Sequence, residues 1–194
     1  MNGGQSATLR VTPCGVKELS QLGLAGFSHV LSILDPEEPP PKSIAAFNAD
    51  RWLDLRFHDV IEPDPGFVLV KARHVEQLLE FGGEAMASGP GAHLLIHCHA
   101  GVSRSTAAAI LCLIQAYPSR SAYQALGDVV CIRPGAWPNL RVLELGDDAL
   151  GRHGEIIAAA GPLYRRALDA HPNLSYHLCR HGRAREVALA DRWR

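Results

Sequence analysis

One short segment places a cysteine, a glycine and an arginine where they could act together on an anion. Residues 97–105, HCHAGVSRS, contain Cys98, Gly101 and Arg104 and separate the apolar run HLLIHC from a helix-length apolar run. A strand that turns directly into a helix leaves the first N–H groups of that helix directed into the loop, where they attract an anion. Gly101 permits the close backbone approach that such a loop needs.

The same surroundings would activate Cys98 as a nucleophile. The helix dipole, the loop amides and Arg104 each favour the thiolate over the thiol, and the thiolate is the nucleophilic form. Arg104 offers a planar fork of donors that matches two oxygens of a phosphate, which a lysine could not do. The residues therefore predict a cysteine nucleophile inside an oxyanion-binding loop.

The elements around this loop indicate an α/β fold. Apolar runs at 29–34 and 93–98 are typical of buried strands, and the alternating segment 51–59 suits a half-covered strand. Helical spacing of apolar residues predicts a long helix from Phe67 to about Ala87, and another begins near Arg104. Because strands and helices alternate, we expect a central, mostly parallel twisted sheet flanked by helices.

Later segments predict more helix. Ser121 and Gln124 have the spacing of a capping box at a helix start. No linker clearly divides the chain, but the segment GDDALG at 146–151 could separate an α/β domain over residues 1–150 from a helical C-terminal extension over residues 151–194, which we expect to pack on or near the core.

Composition narrows the class of protein. The chain has 194 residues, 47% of them hydrophobic, and a net charge of -1, which argues against nucleic acid or a membrane as partner. No window reaches the roughly 18 apolar residues of a membrane span, and the N-terminus has no leader pattern, so we expect a soluble, cytoplasmic protein. The odd number of scattered cysteines, five, predicts reduced thiols rather than a disulfide framework.

At this point the segment resembles a known signature. HCHAGVSRS has the CX5R spacing from Cys98 to Arg104 and is similar to the phosphate loop of the cysteine-based protein tyrosine phosphatases, closest to the dual-specificity-like branch. His97, Gly101 and Ser105 also match, and we expect a bacterial-type member. The weaker likeness extends from about Val30 to Glu144. It implies the phosphatase fold over residues 1–150 and a cysteine-dependent hydrolase of phosphate monoesters without cofactor or metal.

The resemblance implies a role for each residue of the loop. Cys98 would attack phosphorus and form a cysteinyl-phosphate, and Arg104 would hold the equatorial oxygens. Ser105 resembles the hydroxyl that stabilises the thiolate as leaving group, and a role as a helix-start hydroxyl that bonds backbone does not exclude this. His97 resembles the histidine that shapes the loop and is not expected to donate a proton. The expected phosphate-binding residues are His99, Ala100, Gly101, Val102, Ser103 and Arg104.

The resemblance also implies an aspartate that acts as general acid and then as base. Asp59 fits best because it follows the strand residues RWLDLRFH at 51–58 and would lie at the same sheet edge as the loop. Asp64, flanked by prolines, is the alternative. Chemistry that needs a thiolate and a protonated acid together predicts a bell-shaped pH profile that leans to the acid side.

A second motif and several departures bear on the site and its substrate. Asn139, in RPGAWPNLRVLE, resembles the asparagine that braces the phosphate loop, and a helix N-cap without catalytic role is an equal alternative. Trp137 and Pro138 precede an asparagine rather than an aspartate, and no long tyrosine-recognition loop is evident. A shallow pocket would accept phosphoserine or phosphothreonine as well as phosphotyrosine. A phosphorylated protein or a small phosphate ester is the expected substrate, and the lack of lysine in the loop argues against inositol polyphosphates.

Other classes of function remain as alternatives. A phosphate-binding module without catalysis, a pseudophosphatase, would need the same loop but usually loses the cysteine or the acid. The clusters HCH and YHLCRHG could suggest a metal, but neither has zinc-finger spacing. The basic C-terminal end could bind a partner, although a solvated helix that packs Val187, Leu189 and Trp193 on the core is the simpler interpretation.

Overall fold

A computed structural model describes residues 8–22, 26–44 and 51–194 of the chain. Its centre is a sheet of four parallel strands in the order β1-β4-β2-β3. The strands are β1 Arg10–Gly15, β2 His29–Leu34, β3 Trp52–Arg56 and β4 His93–Cys98. The predicted parallel sheet is confirmed.

Eight helices accompany the sheet in the described ranges. A 3-10 turn at Val16–Glu18 leads into α1, and residues 146–149 of the predicted divider lie within α5. The helices are α1 Leu19–Leu22, α2 Ala72–Ala87, α3 Arg104–Ala116, α4 Ala122–Ile132, α5 Leu140–Ala149, α6 Glu155–Ala170, α7 Leu174–Arg180 and α8 Ala184–Asp191. None of them is both long and apolar enough to cross a bilayer.

Side chains that alternate along the strands build a core on each face of the sheet. Leu31 and Leu94 face the larger core, which α2 to α6 cover, whereas Val30 and Leu95 face a smaller one with Leu19 of α1. Full burial of each such side chain stabilises the fold by roughly 1.5–3 kcal/mol. Because both faces are covered, β2 is buried at every position and β4 at all but the first, as predicted for these mainly apolar strands.

The start of the long helix differs from the prediction. Helix α2 begins at Ala72, not at Phe67, and the side chains of Phe67 and Val68 are exposed. His58 explains the difference, since its backbone N–H donates to Val68 O and its Nδ1 accepts from Val68 N. Residues 67–71 are therefore held as an extended segment beside the end of β3. The capping box of α4 is confirmed, with Gln124 N donating to Ser121 Oγ and Ser121 N to Gln124 Oε1.

The C-terminal helices pack against the rest of the chain. Asp147 of α5 accepts hydrogen bonds from Gly154 N and Ile156 N, so the chain turns directly from α5 into α6. Helix α6 contacts α4, α5 and α8. Leu189 of α8 is buried, while Trp193 stays half exposed over the α-carbon of Gly161.

Candidate active site

The phosphate loop, residues 98–104, joins the carboxyl end of β4 to the first turn of α3. Gly101 has a positive φ of 74°, and a Cβ there would overlap the backbone of Cys14 and Gly15 in β1. Only glycine fits this position. Four carbonyl groups of the loop accept hydrogen bonds from outside it, namely His99 O from Val16 N, Ala100 O from Arg133 Nη2, Val102 O from Trp137 N and Ser103 O from Asn139 N.

The sulfur of Cys98 lies at the base of this loop. The residue is 2% exposed, its Sγ accepts the N–H of Gly101 at 3.3 Å, and the hydroxyl of Ser105 lies 3.3 Å away. A backbone N–H and a hydroxyl directed at sulfur stabilise its negative charge. The loop therefore provides the hydrogen bonds that a thiolate nucleophile needs.

Arg104 keeps one edge of its guanidinium available. Its Nη1 donates to Asp35 Oδ1 and to Phe57 O, both at 2.6 Å, while its buried Nε has no hydrogen-bond partner among the residues that the structure describes. A buried donor without a partner costs about 1–3 kcal/mol. An anion in the loop would satisfy Nε, and the anchored Nη1 fixes the orientation in which the fork meets it.

Asp35 is a site residue that the sequence interpretation missed. It follows β2, which lies beside β4 in the sheet, so its position at the carboxyl edge was the available signal. Besides binding Arg104, its Oδ2 lies 3.8 Å from Nδ1 of His99, and Glu38 approaches the other ring nitrogen at 3.7 Å. One rim of the loop is consequently acidic.

The structure places Asp59, rather than Asp64, next to the phosphate loop. Asp59 Oδ1 accepts from Ser103 Oγ at 2.7 Å and from Asn139 Nδ2 at 2.8 Å. Its Oδ2 lies 3.5 Å from Nη1 of Arg183. Asp64 is exposed in the following loop, where its backbone carbonyl accepts the N–H of Phe67.

Asn139 contacts the start of a helix, the candidate acid and the phosphate loop. Its Oδ1 accepts Val142 N, which makes it the N-cap of α5, and its Nδ2 donates to Asp59. Its backbone N–H also donates to Ser103 O at 3.3 Å. The same side chain therefore starts a helix and holds the candidate acid.

His97 is buried directly beneath the loop. Its Nε2 lies 2.6 Å from Ser32 Oγ, which also accepts Nε1 of Trp52 at 2.8 Å. Burial above all, with a smaller effect of the charges of Arg56 and His99, lowers the pKa of His97 to about 4. The imidazole is therefore neutral near pH 7, and Ser32 and Trp52 are supporting residues that the sequence did not reveal.

The C-terminal helices contribute two further side chains that the sequence interpretation missed. Arg183 and Glu186, both buried, form an ion pair at 2.7 Å. Glu186 also accepts Trp137 Nε1 at 2.5 Å and Leu140 N at 3.1 Å. Apart from each other, the partners of the two residues lie far away in the chain, so no local motif connects them with the site.

The histidine and cysteine clusters do not converge on a metal site. Across residues 8–22, 26–44 and 51–194, no group of three His, Cys, Asp or Glu side chains is arranged to hold a metal ion. Cys179 is exposed on α7, and His181 Nδ1 is 2.7 Å from His177 O.

Known structures share this architecture, although no protein-family model and no curated protein matches the chain. Human DUSP28 is 19% identical, with a TM-score of 0.54 over 73% of this chain and 92% of its own. A PTP-2 phosphatase of Cydia pomonella is 23% identical, with a TM-score of 0.55 over 72% of this chain and 84% of its own. A mouse putative dual specificity phosphatase is 19% identical, with a TM-score of 0.53 over 75% of this chain and 84% of its own.

The chain has the dual-specificity phosphatase fold. This confirms the fold class that the CX5R segment implied, including the loop between a buried strand and a helix. At these identities the likeness concerns the fold, and the chemistry must be argued from the site itself.

Proposed function

We propose that this protein hydrolyses phosphate monoesters through a cysteinyl-phosphate intermediate, with Cys98 as nucleophile and Asp59 as general acid and base. One observation carries the proposal. The sulfur of Cys98 meets the N–H of Gly101 and the hydroxyl of Ser105 in the same loop where the buried Nε of Arg104 lacks a partner. The fold of the phosphatase structures supports the same activity.

In the first step, the thiolate of Cys98 attacks phosphorus and an S–P bond forms as the P–O bond to the leaving group breaks. The loop amides and Arg104 stabilise the charge on the equatorial oxygens. Asp59 gives its proton to the leaving oxygen. Ser103, Asn139 and Arg183 all direct donors at the carboxyl group of Asp59 and hold it beside the phosphate loop.

In the second step, water attacks the phosphoryl group and gives a proton to the Asp59 carboxylate. The S–P bond breaks, inorganic phosphate leaves and the Cys98 thiolate returns. The hydroxyl of Ser105, 3.3 Å from the sulfur, can donate to the departing thiolate. Thr106 Oγ1, rather than Ser105, donates to the loop carbonyls of Val102 and Ser103, which leaves the Ser105 hydroxyl for the sulfur.

The rim of the loop indicates the class of phosphate ester. Asp35, Glu37 and Glu38 carry carboxylates beside the loop, where they contact Arg104, His58 and His99. Such a rim repels substrates with several phosphates and favours a single phosphate on a protein or a small ester. We expect phosphotyrosine and phosphoserine or phosphothreonine to be accepted, as in dual-specificity enzymes.

Hydrolysis of a generic aryl phosphate tests this function. Wild type and Cys98→Ser are assayed with a chelator present, over about pH 5 to 8. We expect turnover by wild type with a bell-shaped profile, no turnover by the variant, and no effect of the chelator. Phosphate binding without turnover would contradict the proposal and indicate a non-catalytic module, and activity lost to chelation would indicate a metal enzyme.

A further inference from the structure

The guanidinium of Arg183 lies between the candidate acid and the phosphate loop. Its Nη1 is 3.5 Å from Asp59 Oδ2, and its Nη2 donates to Ser103 Oγ at 3.0 Å. Ser103 in turn donates to Asp59 Oδ1 at 2.7 Å. Arg183, Ser103 and Asp59 therefore form a closed set of contacts that joins the chain just before α8 to both parts of the site.

Glu186 fixes the position of this guanidinium from the other side. Arg183 Nε and Nη2 donate to the two carboxylate oxygens of Glu186 at 2.8 and 2.7 Å. Glu186 is fully buried. It accepts hydrogen bonds from Trp137, which lies just before the Asn139-capped helix α5, and from Leu140, the first residue of that helix. Because Glu186 binds the guanidinium along the edge that carries Nε and Nη2, Nη1 stays directed at Asp59.

The charge of Arg183 is secure in this environment. Burial alone would lower its pKa, but the carboxylates of Asp59 and Glu186 outweigh that effect and raise it above the usual value. Burial raises the pKa of Glu186 above its ordinary value, whereas the four donors that converge on it favour the carboxylate form. A buried pair that satisfied only itself would direct no donor toward Asp59.

We propose that Arg183 is a positioning residue for Asp59, so that the C-terminal helices complete the active site by holding the acid at the rim of the phosphate loop. This inference rests on the proposed function. It assigns a role in turnover to the basic C-terminal extension, whose charge alone did not suggest one. Arg183 acts through Asp59 and Ser103 and is not expected to touch the substrate.

The test compares two leaving groups. A general acid matters most when the leaving group is a poor one, such as an alkoxide, and little when it is an activated phenoxide. For Arg183→Met we expect kcat to fall roughly tenfold to a hundredfold on an alkyl phosphate and to change little on an activated aryl phosphate. In an Asp59→Asn background, Arg183→Met should cause no further loss on either substrate.

Arg165→Met is the matched control. It removes an arginine of α6 that pairs with Asp169 and Asp191 of the C-terminal helices rather than with Asp59. Thermal unfolding of each variant shows whether it is folded at the assay temperature, and if Arg183→Met is not, Arg183→Met/Glu186→Gln replaces it, because a neutral pair avoids an unpaired buried charge. We expect Arg165→Met to keep wild-type rates on both substrates.

Two results would overturn the inference. One is a loss of activity in Arg183→Met that is the same on the alkyl and the aryl phosphate, and the other is an undiminished effect of Arg183→Met in the Asp59→Asn background. In both cases the activity would still depend on Cys98. Failure of the proposed function would give a different result. Wild type would then show no turnover, or turnover that Cys98→Ser does not abolish.

Discussion

The phosphate loop and the acid site differ in how far their contacts reach along the chain. The sulfur of Cys98 is bound by residues three and seven positions away. Asp59 is bound by Ser103 and Asn139, which are 44 and 80 positions away, and by Arg183 of the C-terminal region. The loop is a local motif, whereas the acid site exists only once the whole chain has folded.

This difference separates two sources of activity. Electrostatic stabilisation by the loop comes from seven consecutive residues that connect a strand to a helix. Placement of the acid depends on the packing of α5 and the C-terminal helices around Asp59. Changes in the loop should therefore affect every substrate, and changes around the acid should affect substrates according to their leaving groups.

The largest effect is expected from Gly101→Ala, which tests the contribution of the phosphate loop. A methyl group there would overlap the backbone of β1 at a positive φ, so the loop must deform. We expect kcat/KM to fall by at least about 1000-fold on aryl and alkyl phosphates alike, because several oxyanion donors move together. Steady-state kinetics on both substrates provide the measurement.

Gly127→Ala is the control for that substitution. A Cβ at this glycine of α4 meets no other atom within 4 Å, and alanine favours the helix by about 1 kcal/mol. Activity should remain at the wild-type level. Equal activity of Gly101→Ala and Gly127→Ala would show that the loop geometry is not required.

A smaller and more selective effect is expected from Asp59→Asn, which addresses the acid side. Asparagine fills the same space but cannot give a proton, so kcat on an alkyl phosphate should fall by about 100-fold to 10000-fold. The rate on an activated aryl phosphate should change far less. Asp64→Asn is the matched control and should behave as wild type, whereas a larger loss in Asp64→Asn would transfer the acid role to Asp64.

The role of His97 beneath the phosphate loop can be examined through the pH dependence of the free energy of unfolding. The pKa of His97 is about 4 in the folded chain, mainly through burial, against an ordinary value of 6.5. Because the unfolded chain binds this proton first, the contribution of His97 is fully present above about pH 6.5 and is lost as pH falls toward 4. The loss amounts to roughly 3 kcal/mol in the free energy of unfolding.

Denaturant unfolding of wild type and His97→Gln at pH 7 and at about pH 4 measures this contribution. The variant should lose less stability between the two pH values, since glutamine does not titrate. His29, His74 and His93, whose pKa values burial also lowers, remain in both proteins and cancel in the difference. Parallel losses in the two proteins would mean that His97 is not a buried neutral base.

The smallest effect is expected from Asn139→Ser, which keeps the side-chain contact that caps α5 and removes the one with Asp59. Serine can still cap α5 through Val142 N, but it is too short to reach Asp59 in the way that Nδ2 does. We expect about a tenfold loss of kcat on an alkyl phosphate, the equivalent of one hydrogen bond. Asn139→Ala should lose the cap as well and cost about 1 kcal/mol more stability. Full activity of Asn139→Ser would leave Asn139 as a cap only.

The sequence was sufficient for the features that depend on neighbouring residues. The apolar runs of β2 and β4, the start of α3 at Arg104 and the capping box of Ser121 were all predicted, because strand burial and helix caps leave local patterns. The start of α2 was not, since His58 holds residues 67–71 through tertiary hydrogen bonds. The division of the chain at residue 150 and the bacterial-type assignment stay predictions.

The same limit explains what was missed in the site. Asp35 becomes a partner of Arg104 because β2 lies beside β4. The sequence of a strand does not reveal which strands lie next to it in the sheet. Arg183 and Glu186 lie in a basic segment that looks like a solvated helix until Trp137, Leu140 and Asp59 are brought against it. Residues whose function depends on remote contacts leave no spacing to recognise.

The central claim is tested most directly by trapping the covalent intermediate. Wild type is mixed with an activated aryl phosphate and quenched in acid within one turnover, and the digested protein is examined by mass spectrometry. We predict one phosphoryl group on the peptide that contains Cys98, formed with release of the aryl alcohol and absent from Cys98→Ser. Turnover of the same substrate without phosphate on Cys98, or equal turnover by Cys98→Ser, would contradict the account.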